Sequence, residues 1–562
     1  MIGVSLFAMA PSAGGAVVVF WAAMIYALRV REGSGPLSWE RMLRVGILLV
    51  VFLGVTLPAT VGLIGAANTL LSAASDPQDP AGWLVPAVVG LLLWASLRLA
   101  LQWPERLGQR TFVVIALTAA VSLRLAYVLM VESQPVSDFG GMWRLCWQAA
   151  TEGLVATRAA LPATYTAWVH FERVLPYLLP LRALFGPEPS SYSVANVALG
   201  AASSLLACSL ARAWFGDVAA RVALVLSLLA VEPLLAAAIP THDIPGAFLL
   251  LAALALGSAA WRFRAAGSSS AATLAAVGLG FTVLVLDLQR SLGGLLLASH
   301  TLAAPLLARE TPPAAPVARS ERTLLPVLLV VAPLFIFATG DSSLRAGGWR
   351  VPSRLNALPL GVAAATDSWG DASYQHALDN YRLPYQAVEL NWTRLGIVKL
   401  ATGLRLDPAA QVGSYLRKAR GLFDLGAQTY FYLHDVRWRD GAPFGWVRRA
   451  EIAARAFSVP FLVLLILASV WPWTHPRLPL LALFPLVFMA LLSLALLAVG
   501  EIQSRYLYPL WYIGAVYVGG WLASRRRDDG GGSYAAGSGG DPQLAETTPS
   551  PAVARTSPAG TR

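Results

Sequence analysis

The sequence predicts an all-α polytopic membrane protein, and three observations carry that expectation. Hydrophobic residues fill 56% of the 562 positions and charged residues only 13%, with a mean hydropathy of +0.60; a soluble domain carries about 25% charged residues. The apolar residues are gathered into runs of roughly 15 to 22, the length that crosses a hydrocarbon core about 30 Å thick at a rise of 1.5 Å per residue. Arginines then cluster at alternate ends of these runs, as the positive-inside rule requires. Those clusters also account for the formal net charge of +11. No nucleic-acid-binding motif accompanies the charge, so nucleic acid is not an expected partner. Two cysteines, Cys146 and Cys208, make no disulfide framework.

In chain order, residues 13–28 form a first span followed by Arg29 and Arg31. Positive charge after the apolar run, with no basic stretch before it, predicts a retained anchor rather than a cleaved signal peptide, and places the N-terminus outside. Arg41 and Arg44 mark the inner loop, and residues 45–64 return outward through Pro58, which a membrane helix tolerates. Asp76 and Asp79 make an acidic outer turn, and residues 83–103 run inward to Arg106 and Arg110. Residues 111–131 cross outward again and deliver Asp138 to the outer face. Arg124 sits inside that span, about 12 Å below Glu132 by helical rise. Such an arginine snorkels to headgroups, pairs within the bundle, or binds a lipid phosphate.

The outer segment 132–192 is polar at its start and apolar later, and residues 174–186 are too few to span, which predicts an interfacial or re-entrant helix. Spans follow at 194–214, 218–239, 246–261, 272–288, 292–307 and 324–338. Their loops alternate, with Arg212 and Arg221 inside, Asp243 outside, and Arg262 and Arg264 inside. Arg290 breaks the pattern at an outer turn. Residues 340–455 lose the membrane composition and predict a folded extracytoplasmic domain, mixed or mainly helical. Spans at 457–473, 478–499 and 506–522 close the bundle above Arg525, Arg526 and Arg527. The expected organisation is therefore about 13 spans, divided as 1–109 (N-terminal spans), 110–339 (core, with the first outer loop at 132–192), 340–455 (outer domain), 456–524 (C-terminal spans) and 525–562 (inner tail). The tail is rich in Gly, Ser, Pro and Thr, a composition that predicts disorder.

Several short motifs stand in a telling order. Pro135-Val136-Ser137-Asp138-Phe139 follows the span 111–131; a Pro- and Leu-rich helix ends at Leu184-Phe185-Gly186; Asn196 and Ala211-Arg212-Ala213-Trp214-Phe215-Gly216 follow. Leu286-Asp287-Leu288-Gln289-Arg290-Ser291, Trp369-Gly370, Asp407-Pro408 and Glu501-Ile502-Gln503-Ser504-Arg505-Tyr506-Leu507-Tyr508-Pro509 complete the set. Together they resemble the GT-C superfamily of membrane glycosyltransferases, and in particular the bacterial relatives of protein O-mannosyltransferases in glycosyltransferase family 39. The resemblance covers residues 110–522. It departs where relatives carry paired acidic residues beside Asp138, and where His242-Asp243 replaces a Ser-Glu pair.

The resemblance implies a multi-pass enzyme of the cytoplasmic (inner) membrane with its site facing out. It transfers a sugar from a polyprenyl-phosphate donor, with inversion, to a hydroxyl of a glycan, lipid or protein acceptor. Nucleotide sugars are absent outside that membrane, so the donor must arrive on a lipid, and membrane lipids surround the site. A carboxylate at the membrane edge accepts the hydroxyl proton, while phosphate leaves without a general acid, so one carboxylate suffices where a glycosidase needs two. Asp138 is the candidate catalytic base. Arginine pairs phosphate through a planar fork and stays charged at an apolar boundary, which makes Arg290, Arg505 and Arg124 the candidate phosphate ligands. His242, Asp243, Glu501 and Tyr506 are candidate substrate contacts. No cofactor is called for, and a divalent metal stays open.

Two other readings share part of the pattern. A lipid-linked polysaccharide ligase or polymerase also has many spans and a basic outer loop, but its chemistry would depend on outer Arg and His rather than on Asp138. A secondary transporter would show internal repeats and broken helices about a midplane site; no clear repeat is present. The arginine alternation predicts that an impermeant thiol reagent added outside labels Ser373→Cys and misses Ser533→Cys. The reverse pattern, or labelling of both, overturns the assigned orientation.

Overall fold

A computed structural model describes residues 39–76, 79–104, 107–134, 137–153, 156–157, 175–186, 190–290, 292–310, 319–346, 408–427, 429–433, 436–438, 446–474, 478, 480–499 and 507–529. The protein is an all-α polytopic membrane protein. Seven of its helices are long and apolar enough to cross a membrane, and one bent pair makes an eighth, among the described residues. The one sheet described has two strands. Residues Met1–Ala523 form one compact unit. Ser524–Arg562 form a second, in which the described residues end a helix at Asp529.

The elements are α1 (Trp39–Val51), a π-turn at Phe52–Thr56, α2 (Leu57–Ala74), α3 (Ala81–Gln102), α4 (Gly108–Met130), β1 (Val131–Ser133), α5 (Ser137–Glu152) and α6 (Leu175–Phe185). They continue with α7 (Ser190–Phe215), α8 (Asp217–Leu229), α9 (Val231–Leu235), a 3₁₀ turn at Ala236–Ala238, α10 (Asp243–Ala265), α11 (Ser269–Arg290), α12 (Gly293–Glu310) and α13 (Arg319–Ala346). The last are α14 (Pro408–Phe423), α15 (Thr429–Leu433), β2 (Val436–Trp438), α16 (Val447–Thr474), α17 (Leu480–Val499) and α18 (Leu510–Asp529).

Each span expected from residue 45 onward falls on a helix or a bent helix pair, but those expected at 292–307, 324–338, 478–499 and 506–522 are not among the helices long and apolar enough to cross a membrane. The first expected span, residues 13–28, lies outside the described residues. Gly216, at φ +91°, turns α7 into α8, since only glycine enters that region without steric cost. Its N–H closes α7 onto the Arg212 carbonyl at 3.0 Å, and Arg212 pairs with Asp217 at 2.8 Å across the turn. The expected span 218–239 is not one straight helix. It breaks at Ala230, whose ψ of 118° leaves the helical region, and α8 and the segment Val231–Ala238 meet at 55°. The break carries Glu232 into the interior.

Where described, the segment expected as a folded outer domain packs on the bundle. Helix α14 packs along α2, whose buried face is made of Pro58, Ala59, Gly62, Gly65 and Ala66. Small residues let the two backbones approach, as they do between membrane helices generally. Lys418 on α14 is buried, and loss of water brings its ammonium down to about 8. The start of α16 is tied to the acidic turn by Arg448, 3.3 Å from Asp76 and 3.5 Å from Asp79. Residues 347–407 of the expected domain lie outside the described residues.

A Cβ placed on Gly62 would stand 2.7 Å from the backbone of Phe423. Gly62→Leu is therefore expected to push α14 off α2 and to destabilise the protein by about 1–3 kcal/mol, as overpacking does. Gly46→Leu, where a Cβ meets nothing, serves as the control. Thermal unfolding in detergent measures both, and equal midpoints would remove the close contact from the account.

Candidate active site

Helix ends converge at one end of the bundle, and the charged side chains buried there are unusual for a lipid-embedded core. Helix α10 starts at Asp243 and α11 ends at Arg290, so the two packed helices bring these residues together. Arg290 and Asp243 form an ion pair whose side chains are 7% and 0% exposed. The Thr241 hydroxyl donates to Asp243 Oδ2 at 2.8 Å and accepts the Asp243 backbone N–H at 3.1 Å. Tyr432, from α15, donates its hydroxyl to the same Oδ2 at 3.3 Å. Asp243 thus joins two spans and the segment between α13 and α16 at one carboxylate.

The loop before Asp243 is fixed by Asn196 on α7. Its Nδ2 donates to the carbonyls of Ala237 and Ile239, at 3.3 and 2.9 Å, and its Oδ1 accepts the Tyr177 hydroxyl at 2.6 Å. The amide uses both faces, so its orientation is set by the network. His242 is buried beside Asp243. No group of three or more His, Cys, Asp or Glu suited to a metal occurs among the described residues.

Two further groups lie at the same end. Glu232, buried at the α8–α9 break, accepts the Trp511 indole N–H at 3.2 Å. Arg124 on α4 is 1% exposed, and its three guanidinium nitrogens have no hydrogen-bond partner. It lies within electrostatic reach of the buried tyrosines Tyr508 and Tyr512, whose side chains also interact with each other. One turn beyond Arg124, Tyr127 donates to the Leu235 carbonyl at 3.4 Å and holds α4 against α9.

From Arg124 the chain rises six residues, about 9 Å, to the end of α4 and enters β1. There Val131, Glu132 and Ser133 pair antiparallel with Trp438, Arg437 and Val436. Helix α5 begins four residues past β1, and Asp138 falls in its first turn. The Asp138 side chain is outside the described residues, as are Glu501, Arg505 and Tyr506.

Of the residues singled out from sequence, Arg124, His242, Asp243 and Arg290 are thus buried, and Arg124 lies on the helix that runs into β1. Arg290 meets Asp243, whereas Arg124 meets no acceptor. Glu232, Tyr432, Tyr508, Trp511 and Tyr512 were not anticipated. Glu232 had a signal, because an acidic residue inside an apolar run is rarely idle. Tyr432 had none, being one tyrosine in a polar stretch.

No known family profile and no curated protein matches this sequence. Among solved structures, the chain is similar to the archaeal oligosaccharyltransferase AglB of Archaeoglobus fulgidus, determined in complex with an inhibitory peptide and a dolichol-phosphate. The identity is 14% and the TM-score 0.39, over 76% of this chain and 51% of that one. The chain therefore spans about half the length of that neighbour.

The Arg290–Asp243 pair generates an asymmetric prediction. Asp243→Asn leaves a buried guanidinium without its counter-charge and is expected to cost about 3–5 kcal/mol, whereas replacing both partners at once, Asp243→Leu with Arg290→Met, is expected to cost far less. Denaturant unfolding in detergent compares them. A double variant as unstable as Asp243→Asn shows that the two side chains do not act as a pair.

Proposed function

We propose that this protein is a membrane glycosyltransferase of the GT-C type, which moves a sugar from a polyprenyl-phosphate donor to an acceptor hydroxyl on the extracytoplasmic face with inversion. The observation that carries the reading is a buried guanidinium without an acceptor, Arg124, beneath the strand that leads directly to the carboxylate Asp138. A cation prepared for an anion and a carboxylate at the helix start above it are the two parts that transfer from a phosphate-linked sugar requires. The arginine alternation along the spans supports the outward orientation.

In the proposed reaction the acceptor O–H attacks the anomeric carbon from the face opposite the phosphate. The new C–O bond forms as the bond to the phosphate oxygen breaks, and the electron pair of the broken bond stays on phosphate. Asp138 takes the acceptor proton. The charge left on the polyprenyl phosphate is met by arginine, which needs no proton transfer to stabilise it. Arg124 is the first candidate for that contact, and Arg505 precedes Tyr508 by three residues in sequence. Arg290 is a candidate of a different kind, since it would have to exchange Asp243 for phosphate. His242 remains a candidate substrate contact beside them, and the sugar and the acceptor are left open.

Asp138→Asn keeps the size of the side chain and removes its proton-accepting ability, so transfer is expected to fall by about 10² to 10⁴. Expression and donor binding are expected to be unchanged. The measurement is single-turnover transfer from a panel of radiolabelled polyprenyl-phosphate sugars in nanodiscs, and a fully active Asp138→Asn protein would remove the base from the reading.

A further inference from the structure

An internal cavity lies between α10, α11, α12 and α17, where Ala253, Gly257, Leu279, Val283, His300 and Phe484 are among the residues that line it. By helical rise it is about 15 Å along α10 from Asp243 and about 10 Å along α11 from Arg290, so it is separate from that ion pair. The described lining is apolar except for His300, which is 3% exposed and whose Nε2 has no hydrogen-bond partner. Its imidazole is held between two rings, Trp261 with centroids 6.1 Å apart and Phe484 edge-on at 6.0 Å. The backbone hydrogen bond of the ring goes to Leu329 on α13, and a neutral imidazole that donates there from Nδ1 presents Nε2 as an acceptor. The buried Nε1–H of Trp261 has no partner either. A water held in such a place needs roughly two to four polar partners, and the lining offers one.

One wall of the cavity is soft. Among the described lining residues Phe484 alone is partly exposed, and in an apolar helix of a membrane protein that exposure is to lipid. Phe484 precedes Pro485, which has no N–H to offer the Leu481 carbonyl. One residue on, the Leu486 N–H donates to the Tyr517 hydroxyl at 3.2 Å, and that hydroxyl donates to the Ala482 carbonyl. A side chain from α18 thus stands between two groups that an unbroken α-helix pairs directly, and the turn that carries Phe484 is loosened. We propose that the His300 cavity binds a small uncharged lipophilic alcohol, whose hydroxyl donates to Nε2 and whose apolar body enters past Phe484 from the lipid. The ligand class follows from the walls. No charged side chain is among the described lining residues, so an ion finds no counter-charge there. The empty space is about 220 Å³ with its mouth included, below the roughly 300 Å³ of the smallest drug-sized pockets, so the ligand is small. A hydroxyl donates to an acceptor such as Nε2 and can accept from an N–H such as that of Trp261. The site is independent of the glycosyl-transfer reading.

The test uses the full-length protein, with ¹⁵N-labelled histidine, in nanodiscs and two probes of matched size, 4-fluorophenol and fluorobenzene. A ¹⁹F titration referred to empty nanodiscs reads affinity. The ¹⁵N shift of His300 Nε2, identified by its loss in His300→Leu, reads the contact. In the parent, 4-fluorophenol is expected to move that resonance and to bind about 2- to 12-fold more tightly than fluorobenzene, the net worth of one hydrogen bond. In His300→Leu the two probes are expected to bind alike. Phe484→Trp, which fills the mouth, is expected to weaken both several-fold.

Equal affinity of the two probes in the parent, or a preference for the phenol that survives His300→Leu, overturns the role given to Nε2. Failure of both probes to bind overturns the site, and an Nε2 shift already typical of a hydrogen bond in the probe-free protein then assigns the cavity to water. Should His300→Leu fail to fold, Phe484→Trp decides: parental affinity for both probes in that variant places them elsewhere on the protein and overturns the proposal.

Discussion

Burying charge in a lipid-embedded bundle is the constraint that organises this protein, because the interior offers neither water nor high dielectric to screen it. The chain answers that constraint within itself where Arg290 at the end of α11 meets Asp243 at the start of α10. The answer is cooperative: Asp243 is also held by Thr241 and Tyr432, so its second oxygen is occupied when the first takes the guanidinium. Removing either partner would strand the other. The pair therefore fixes the spacing of the α10 and α11 ends and, through Tyr432, seats the segment that carries β2.

The same constraint explains how far the fold was legible from sequence. Spans are legible because a bilayer demands a long apolar run and permits no unpaired backbone within it, so length alone identifies the helices. The bend between α8 and α9 was hidden for the converse reason. Residues 218–239 are apolar enough to read as one helix, and only Glu232 and Pro233 hint at a break. The position of α14 was hidden more deeply. Its composition is polar and carries Arg417, Lys418 and Arg420, which reads as solvent-facing. Its docking depends on a glycine- and alanine-lined face of α2 that hydropathy registers only as apolar.

The site was legible where a charge stood in the wrong place. Arg124 inside a span and Arg290 at an outer turn both stand where the positive-inside alternation does not put an arginine, and both are buried. What sequence does not carry is pairing. Asp243 and Arg290 are 47 positions apart, and Tyr432 is 189 positions beyond Asp243. Only the packing of α10 on α11, and of α15 nearby, makes them neighbours. By the same token, sequence alone named Arg290, Arg505 and Arg124 as phosphate candidates without their partners. Geometry separates Arg290 from Arg124, since one has a carboxylate and the other does not.

The two cations therefore stand in different surroundings. Arg290 and Asp243 form a neutral unit, and its contact to Tyr432 holds the short segment before β2. Strand β2 in turn pairs with β1, with Glu132 opposite Arg437, and β1 runs into the helix that begins at Ser137. A three-residue strand is too short to hold its place alone. Its position depends on what anchors each side: α4 below β1, and the Tyr432 contact a few residues before β2. Arg124 lies on that same α4, about two turns below β1. Arg124 thus sits on the helix from which β1 and the start of α5 continue, and the ion pair reaches the same strand pair only from the other side, through Tyr432.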